Sequence, residues 1–301
     1  MDRIRQHYNR RNPHFAYICG GLRRIAVDGE DKRARVRLLA KGIRYYSQMQ
    51  GMVFASHLLM KPTLFIDAGV NYGECLFAKP LFDTTPSFGF EANPALIHYI
   101  EKSRVYNDDV DVTVIAKAVS DSGDSNLTFY VNERYSGKSS VTRPDSLDGI
   151  REVIVPATTL DAEFRQRGCD LSRLLMKIDV EGYEPMVLRG ATELLHAATD
   201  ALVLLEFDSV FIHAAGIDPE TFFTELSAMF EIFLIDKTRA VKVVGYSGLP
   251  RMTDGEERIH VDLALTKFAS EAMRTRFYKA FCHGSIMGYC LKVWGPLALP
   301  A

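Results

Sequence analysis

At 301 residues with 47% hydrophobic side chains, the chain can bury one large core or two modest ones, which excludes a mainly disordered protein. The formal net charge is only −2, yet the first 45 residues hold 12 Lys and Arg against 4 Asp and Glu, so the remainder is acidic. A basic prefix suits peripheral contact with an anionic membrane face or, more commonly, the solvated side of helices. The opening MDRIRQHYNRRNP lacks the apolar core of a signal peptide, and no stretch is long and apolar enough to span a bilayer. Cys19, Cys75, Cys169, Cys282 and Cys290 form no CxxC pair, which suits free thiols in a reducing compartment. A soluble, cytoplasmic protein is the expectation.

In chain order, residues 1–60 read as a helical prefix without a convincing strand, ending in SQMQGMVFASHLLMK before Pro62. From Leu64 short apolar runs recur: LFIDAG, SFGFEA, VTVIAKAV, LTFYV, LLMKIDV, ALVLLEF, EIFLID and VDLALTK. Most read as buried strands. Helices are expected at 94–104, 185–197 and 219–229, each with proline in its first turn. This alternation predicts a doubly wound α/β fold around a mostly parallel sheet, with its ligand at the carboxyl ends of the strands. The polar segment 132–151 is either a loop over the site or a surface connection. The final segment from 268 starts with helical signals and ends apolar; it is expected to pack on the core, and oligomeric state is left open. Three regions result: a basic helical extension 1–60, a cofactor-binding domain 61–267 and a helical extension 268–301.

Three motifs carry chemistry. Asp67-Ala68-Gly69-Val70-Asn71-Tyr72-Gly73 follows a strand and turns tightly toward a helix. Its spacing departs from GxGxxG, and Asp67 would sit badly beside a pyrophosphate but suits a ligand carrying ammonium and sulfonium charges, as S-adenosylmethionine does. Glu91 in FEANP, 18 residues after Gly73, ends the next strand, where an acid can accept hydrogen bonds from both ribose hydroxyls. It equally suits an N-cap carboxylate. Ser120 or Asp121, in AVSD, would border an adenine. In MKIDVEG, alternation sets Lys177, Asp179 and Glu181 on one face at the end of a buried strand. Buried charges there are costly unless they pair or act.

In these stretches, together with TLD at 159–161, EPMVLRGATELL and LLEF, the chain resembles the FkbM family of S-adenosylmethionine-dependent methyltransferases, roughly over 64–208. The resemblance implies a seven-stranded, Rossmann-like class I methyltransferase fold. It assigns Asp67, Gly69, Asn71 and Gly73 to the methionine part of the cofactor, Glu91 to the ribose and Asp179 to the region of the transferred methyl. Ala92 stands where the family often has proline, leaving the acid itself in place. The family usually methylates oxygen, on sugars or glycans and on polyketide-like natural products, so a hydroxyl-bearing small molecule or glycan is the expected acceptor. Deprotonating an alcohol calls for a carboxylate or imidazole in reach, and Asp179, Glu181 and His213 are the candidates. Asp179, Glu181 and Glu206 also offer the hard oxygens that a divalent cation takes, but nothing selects one and no metal site is expected. A nicotinamide oxidoreductase and a non-catalytic partner-binding module are the alternatives. Nucleic acid is not an expected partner, since no recognition motif accompanies the basic prefix.

Overall fold

A computed structural model describes residues 14–40, 47–123, 126–144, 146–236, 239–251 and 258–284. The opening residues 1–13, Cys290 and the apolar end of the chain lie outside them. The prefix expected to be helical begins instead as an antiparallel hairpin of β1 (His14–Ile18) and β2 (Arg23–Val27), His14 opposite Val27. Aromatic and β-branched residues in HFAYI and RRIAV favour strands, and Cys19 and Gly21 turn the chain with φ of 53° and 92°. Arg23, read as part of a solvated helix face, is 2% exposed. Its guanidinium donates to the Lys79 and Pro80 carbonyls and pairs with Asp109. Charge count alone could not separate a buried anchor from a wet surface. A π-helical stretch, Ala34–Leu39, precedes α1 (Gln48–Met60), whose N-cap Ser47 accepts the Gln50 N–H at 3.1 Å.

The chain then alternates strands with helices or turns: β3 (Leu64–Ala68), β4 (Ser87–Phe90), α2 (Ile97–Tyr106) and β5 (Val112–Ile115). A small sheet follows, built from β6 (Ala118–Val119), β7 (Asn126–Asn132) and β8 (Ile150–Thr158) in the order β6-β8-β7. Next come α3 (Leu160–Phe164), β9 (Arg173–Ile178), α4 (Glu184–Arg189), α5 (Thr192–Ala197) and β10 (Asp200–Asp208). The last elements are α6 (Ser209–Ala214), α7 (Pro219–Met229), β11 (Glu231–Asp236), β12 (Arg239–Lys242), β13 (His260–Phe268) and α8 (Glu271–Phe277). The helix expected over 185–197 is broken at Gly190, where a Cβ would lie 2.0 Å from the Ser120 carbonyl oxygen.

The main sheet runs β12-β11-β13-β10-β9-β3-β4-β5. Neighbours from β10 to β5 are parallel, and β13 inserts antiparallel between β10 and β11. The expected seven strands are therefore joined by an eighth, the edge strand β12. LTFYV, read among the buried strands, lies instead in the small sheet as β7. Alternation divides the core into two faces: Phe65 and Leu175 join one apolar cluster with α1, the β1–β2 hairpin and Phe277, while Leu64, Ile66, Leu174 and Met176 join another with Phe222 and Phe223. From β3 the sheet grows toward β4 on one side and β9 on the other, so a crevice opens at the carboxyl ends of these strands.

Candidate active site

After β3 the chain turns beneath the end of β9. Gly69 has φ +85°, and a Cβ there would lie 1.9 Å from the Asp179 carbonyl oxygen, so only glycine lets the two strand ends pass. Asn71 follows at φ 52°, a left-handed conformation that asparagine tolerates better than most residues. Glu91 pins this turn: one carboxylate oxygen accepts the Asn71 N–H and the other the Asn93 N–H, each at 2.7 Å. Burial pushes the Glu91 pKa up to about 7, with both N–H groups pulling the other way. The prefix holds the turn from outside. Arg33 donates to Asn71 Oδ1 at 3.0 Å and pairs with Glu74, while Asp31 accepts the Tyr72 hydroxyl at 2.9 Å and the Ser136 N–H at 3.2 Å.

Parallel register sets Lys177 beside Asp67. The ammonium is buried and donates to the Gly69 carbonyl at 2.6 Å, with Asp67 Oδ1 at 3.2 Å and Asp179 Oδ2 at 3.5 Å. Against burial, the two carboxylates hold the Lys177 pKa above its usual value. Burial pushes Asp67 up to about 6, Lys177 opposing. Neither Asp67 oxygen receives a well-directed hydrogen bond, so its contact with Lys177 is an ion pair. Lys177 thus ties β3 to β9 and neutralises its neighbours.

The crevice encloses about 720 Å³, within the usual range of small-molecule sites. Of the residues singled out from sequence, Gly69, Asn71, Glu91, Lys177, Asp179, Glu181 and Glu206 line it. Asp67, fully buried, lies outside that lining, as does Gly73, whose φ of +95° serves the turn itself. Ser120 is also buried, donating its N–H to the Thr158 carbonyl at 2.8 Å, and Asp121 is exposed beside it. The wall next to them is made by Lys117, Ala118 and Val119. His213 is exposed on α6 and does not reach the crevice, because the helix directs Phe211 inward. From the polar segment, Tyr135, Ser136, Lys138 and Val141 line the crevice, and Ser140 Oγ donates to the Glu181 carbonyl at 2.9 Å.

The far wall is acidic. Carboxylate oxygens of Asp179, Glu181 and Glu206 come within 4.8 Å of one another; this cluster alone assigns no metal. Burial and the Asp179 charge push Glu181 and Glu206 well above the usual carboxylate range. The same two causes raise Asp262, opposite Glu206 on β13, to about 6. Next along the β10–β13 pair, His260 Nδ1 lies 2.7 Å from Asp208 Oδ2, and His260 Nε2 lies 3.7 Å from Glu206 Oε1. The Asp208 hydrogen bond raises the His260 pKa. Although burial opposes it, His260 and Arg258 hold Asp208 at about 2. Sequence reasoning missed His260, Asp262 and Arg33. For the first two the signal was a histidine and an aspartate opening the strand VDLALTK; for Arg33 there was none beyond charge.

A glycine turn pinned by a strand-end acid at the switch point of a doubly wound sheet defines a nucleoside-binding α/β enzyme. The sequence pattern of the Methyltransferase FkbM domain matches residues 67–232, more than half of the chain. The chain belongs to this family and is an S-adenosylmethionine-dependent methyltransferase. No curated protein matches it significantly in sequence. Among solved structures it is similar to a putative O-methyltransferase from Klebsiella pneumoniae (11% identity, TM-score 0.40, covering 75% of this chain and 81% of that one). It is also similar to an O-methyltransferase from Bacillus cereus in complex with SAH and to TomG, an O-methyltransferase from Streptomyces achromogenes in complex with SAM. Each of these two gives 12% identity, TM-score 0.39 and coverage of 74% of this chain, with 82% of the Bacillus cereus chain and 81% of TomG covered. Among the described residues no helix is long and apolar enough to cross a membrane.

Proposed function

We propose that this methyltransferase methylates a hydroxyl oxygen of a sugar, glycan or polyketide-like acceptor. The observation that carries this reading is the division of the crevice into a pinned glycine turn on one side and an acidic wall with a histidine on the other. Two features fit the cofactor. Gly69, whose missing side chain lets the turn tuck against the Asp179 carbonyl, lines the crevice with its backbone, and each Glu91 oxygen spends one lone pair on an N–H and keeps another for a ribose hydroxyl. Gly69 and Asn71 would hold the methionine part, Glu91 the ribose, and Asp179 would face the reacting end. When bound, the cofactor supplies an electrophilic methyl carbon on a sulfonium, which needs no further activation.

The protein's own work is then to hold the acceptor oxygen in line, exclude water and remove a proton. The stretch 135–141 supplies cover. The acidic wall suits a neutral alcohol, which must lose its proton as the new bond forms, and it favours positive charge nearby. Calorimetry with S-adenosylmethionine and S-adenosylhomocysteine tests the first half of this reading. Wild type is expected to bind both, and Glu91→Ala to weaken binding about 10- to 100-fold, roughly one or two lost hydrogen bonds to a charged acceptor. Absence of wild-type binding would overturn the cofactor assignment. A screen of glycans and polyketides for transfer of a labelled methyl group tests the acceptor class, which fails if only amines are labelled.

A further inference from the structure

We propose that His260, oriented by Asp208, is the general base that accepts the acceptor hydroxyl's proton. This inference rests on the reading of the crevice as a hydroxyl-methylating site. The expected bases were Asp179, Glu181 and His213. His213 points away, Asp179 is engaged by Lys177, and Glu181 shares its space with two further carboxylates. His260 differs from all three. It lines the crevice with its side chain 43% exposed, and its ring is fixed from behind by Asp208 at 2.7 Å.

Asp208 is itself immobilised. It pairs with Arg258 and accepts the Val210 and Phe211 N–H groups at the start of α6, at 3.0 and 3.3 Å. With Nδ1–H committed to a carboxylate, the neutral imidazole must carry its lone pair on Nε2. That atom lies on the side of Glu206, next to the Asp179 carboxylate where the reacting end of the cofactor belongs. As the acceptor oxygen bonds the methyl carbon and the S–CH₃ electron pair returns to sulfur, the hydroxyl proton passes to Nε2. The imidazolium so formed is stabilised by Asp208 and, being partly exposed, returns its proton to solvent.

The charged groups that face this ring are Asp208 and Glu206 on β10, Asp262 on β13 and Arg258 just before it. The Asp208 hydrogen bond and charge, helped by Asp262, favour the imidazolium while burial and Arg258 oppose it; the balance holds the base above the ordinary histidine pKa, and turnover rises with pH through that raised value.

Two measurements test the assignment. Long-range ¹H–¹⁵N NMR on the unliganded protein should show His260 as the Nδ1–H tautomer with its pKa raised, and Asp208→Asn should remove both features. S-adenosylhomocysteine formation with a methyl glycoside as probe acceptor should fall about 100-fold or more in kcat for His260→Gln, while calorimetric affinity for S-adenosylmethionine stays within threefold of wild type. A kcat within threefold of wild type, or a protonated Nε2 in the neutral ring, overturns the role of His260 and leaves cofactor use standing. Failure of wild type to bind the cofactor would instead overturn the reading on which the proposal rests.

Discussion

Around Gly69 the polar groups have partners: Glu91 accepts two backbone N–H groups, Lys177 donates to the Gly69 carbonyl, and Arg33 reaches Asn71 and Glu74. Across the crevice Glu181, Glu206 and Asp262 share a small space with Asp179 and are all pushed toward their protonated forms. The first wall is complete before any ligand arrives, so binding there demands little reorganisation. The second is electrostatically expensive as it stands, and such a cost is kept where it serves chemistry. Affinity should therefore respond to changes in the first wall, and turnover and pH dependence to changes in the second.

The largest expected effect is at Gly69. Gly69→Ala forces a Cβ onto the Asp179 carbonyl and a left-handed backbone onto alanine. Calorimetric binding of S-adenosylmethionine should be lost, or weakened by more than about 100-fold, with circular dichroism confirming a folded chain. Near-normal affinity would mean that the turn is not the cofactor's cradle. Arg33→Ala, which loosens that turn from outside, should weaken binding by about three- to tenfold, on the scale of one hydrogen bond. An unchanged affinity would show that the clamp adds nothing to preorganisation.

Glu206→Gln should have the smallest effect and the opposite sense. Its folded pKa lies above the unfolded value, so the native state binds the extra proton, and the associated stability is lost as pH rises through the folded pKa. Removing the charge should raise Tm by about 2–4 °C at pH 8, equivalent to roughly 1 kcal/mol, and by less at pH 4.5. An equal gain at both pH values would point to packing rather than charge as the cause.

The turn after β3, the acid after β4 and the charged end of β9 were legible because each is a local pattern, an apolar run breaking into glycine or charge. Asp67 was legible as a charge but not as a buried one, since its partner Lys177 lies on another strand and only register brings them together. His260 and Asp262 escaped for a directional reason. Reading for chemistry at the carboxyl ends of strands is sound for parallel neighbours, but β13 runs the other way, so its first residues arrive where the other strands end. His213 follows β10 closely in sequence, yet the intervening turns of α6 carry it outward. The β1–β2 hairpin was hidden by its charge, since the burial of Arg23 depends on acceptors 56 to 86 residues away.

The insertion of β13 also orders events in time. The turn after β3, Glu91 and Lys177 leave the ribosome before β10, which is followed by the β11–β12 hairpin, whose neighbour in the sheet, β13, comes last in the chain and separates it from β10. Until then β10 presents an unpaired edge along Asp200–Asp208, a run rich in leucine and valine that other chains could pair with. The strand that closes that edge is also the one that carries His260 to the crevice, so one segment serves both the integrity of the sheet and the make-up of the acidic wall.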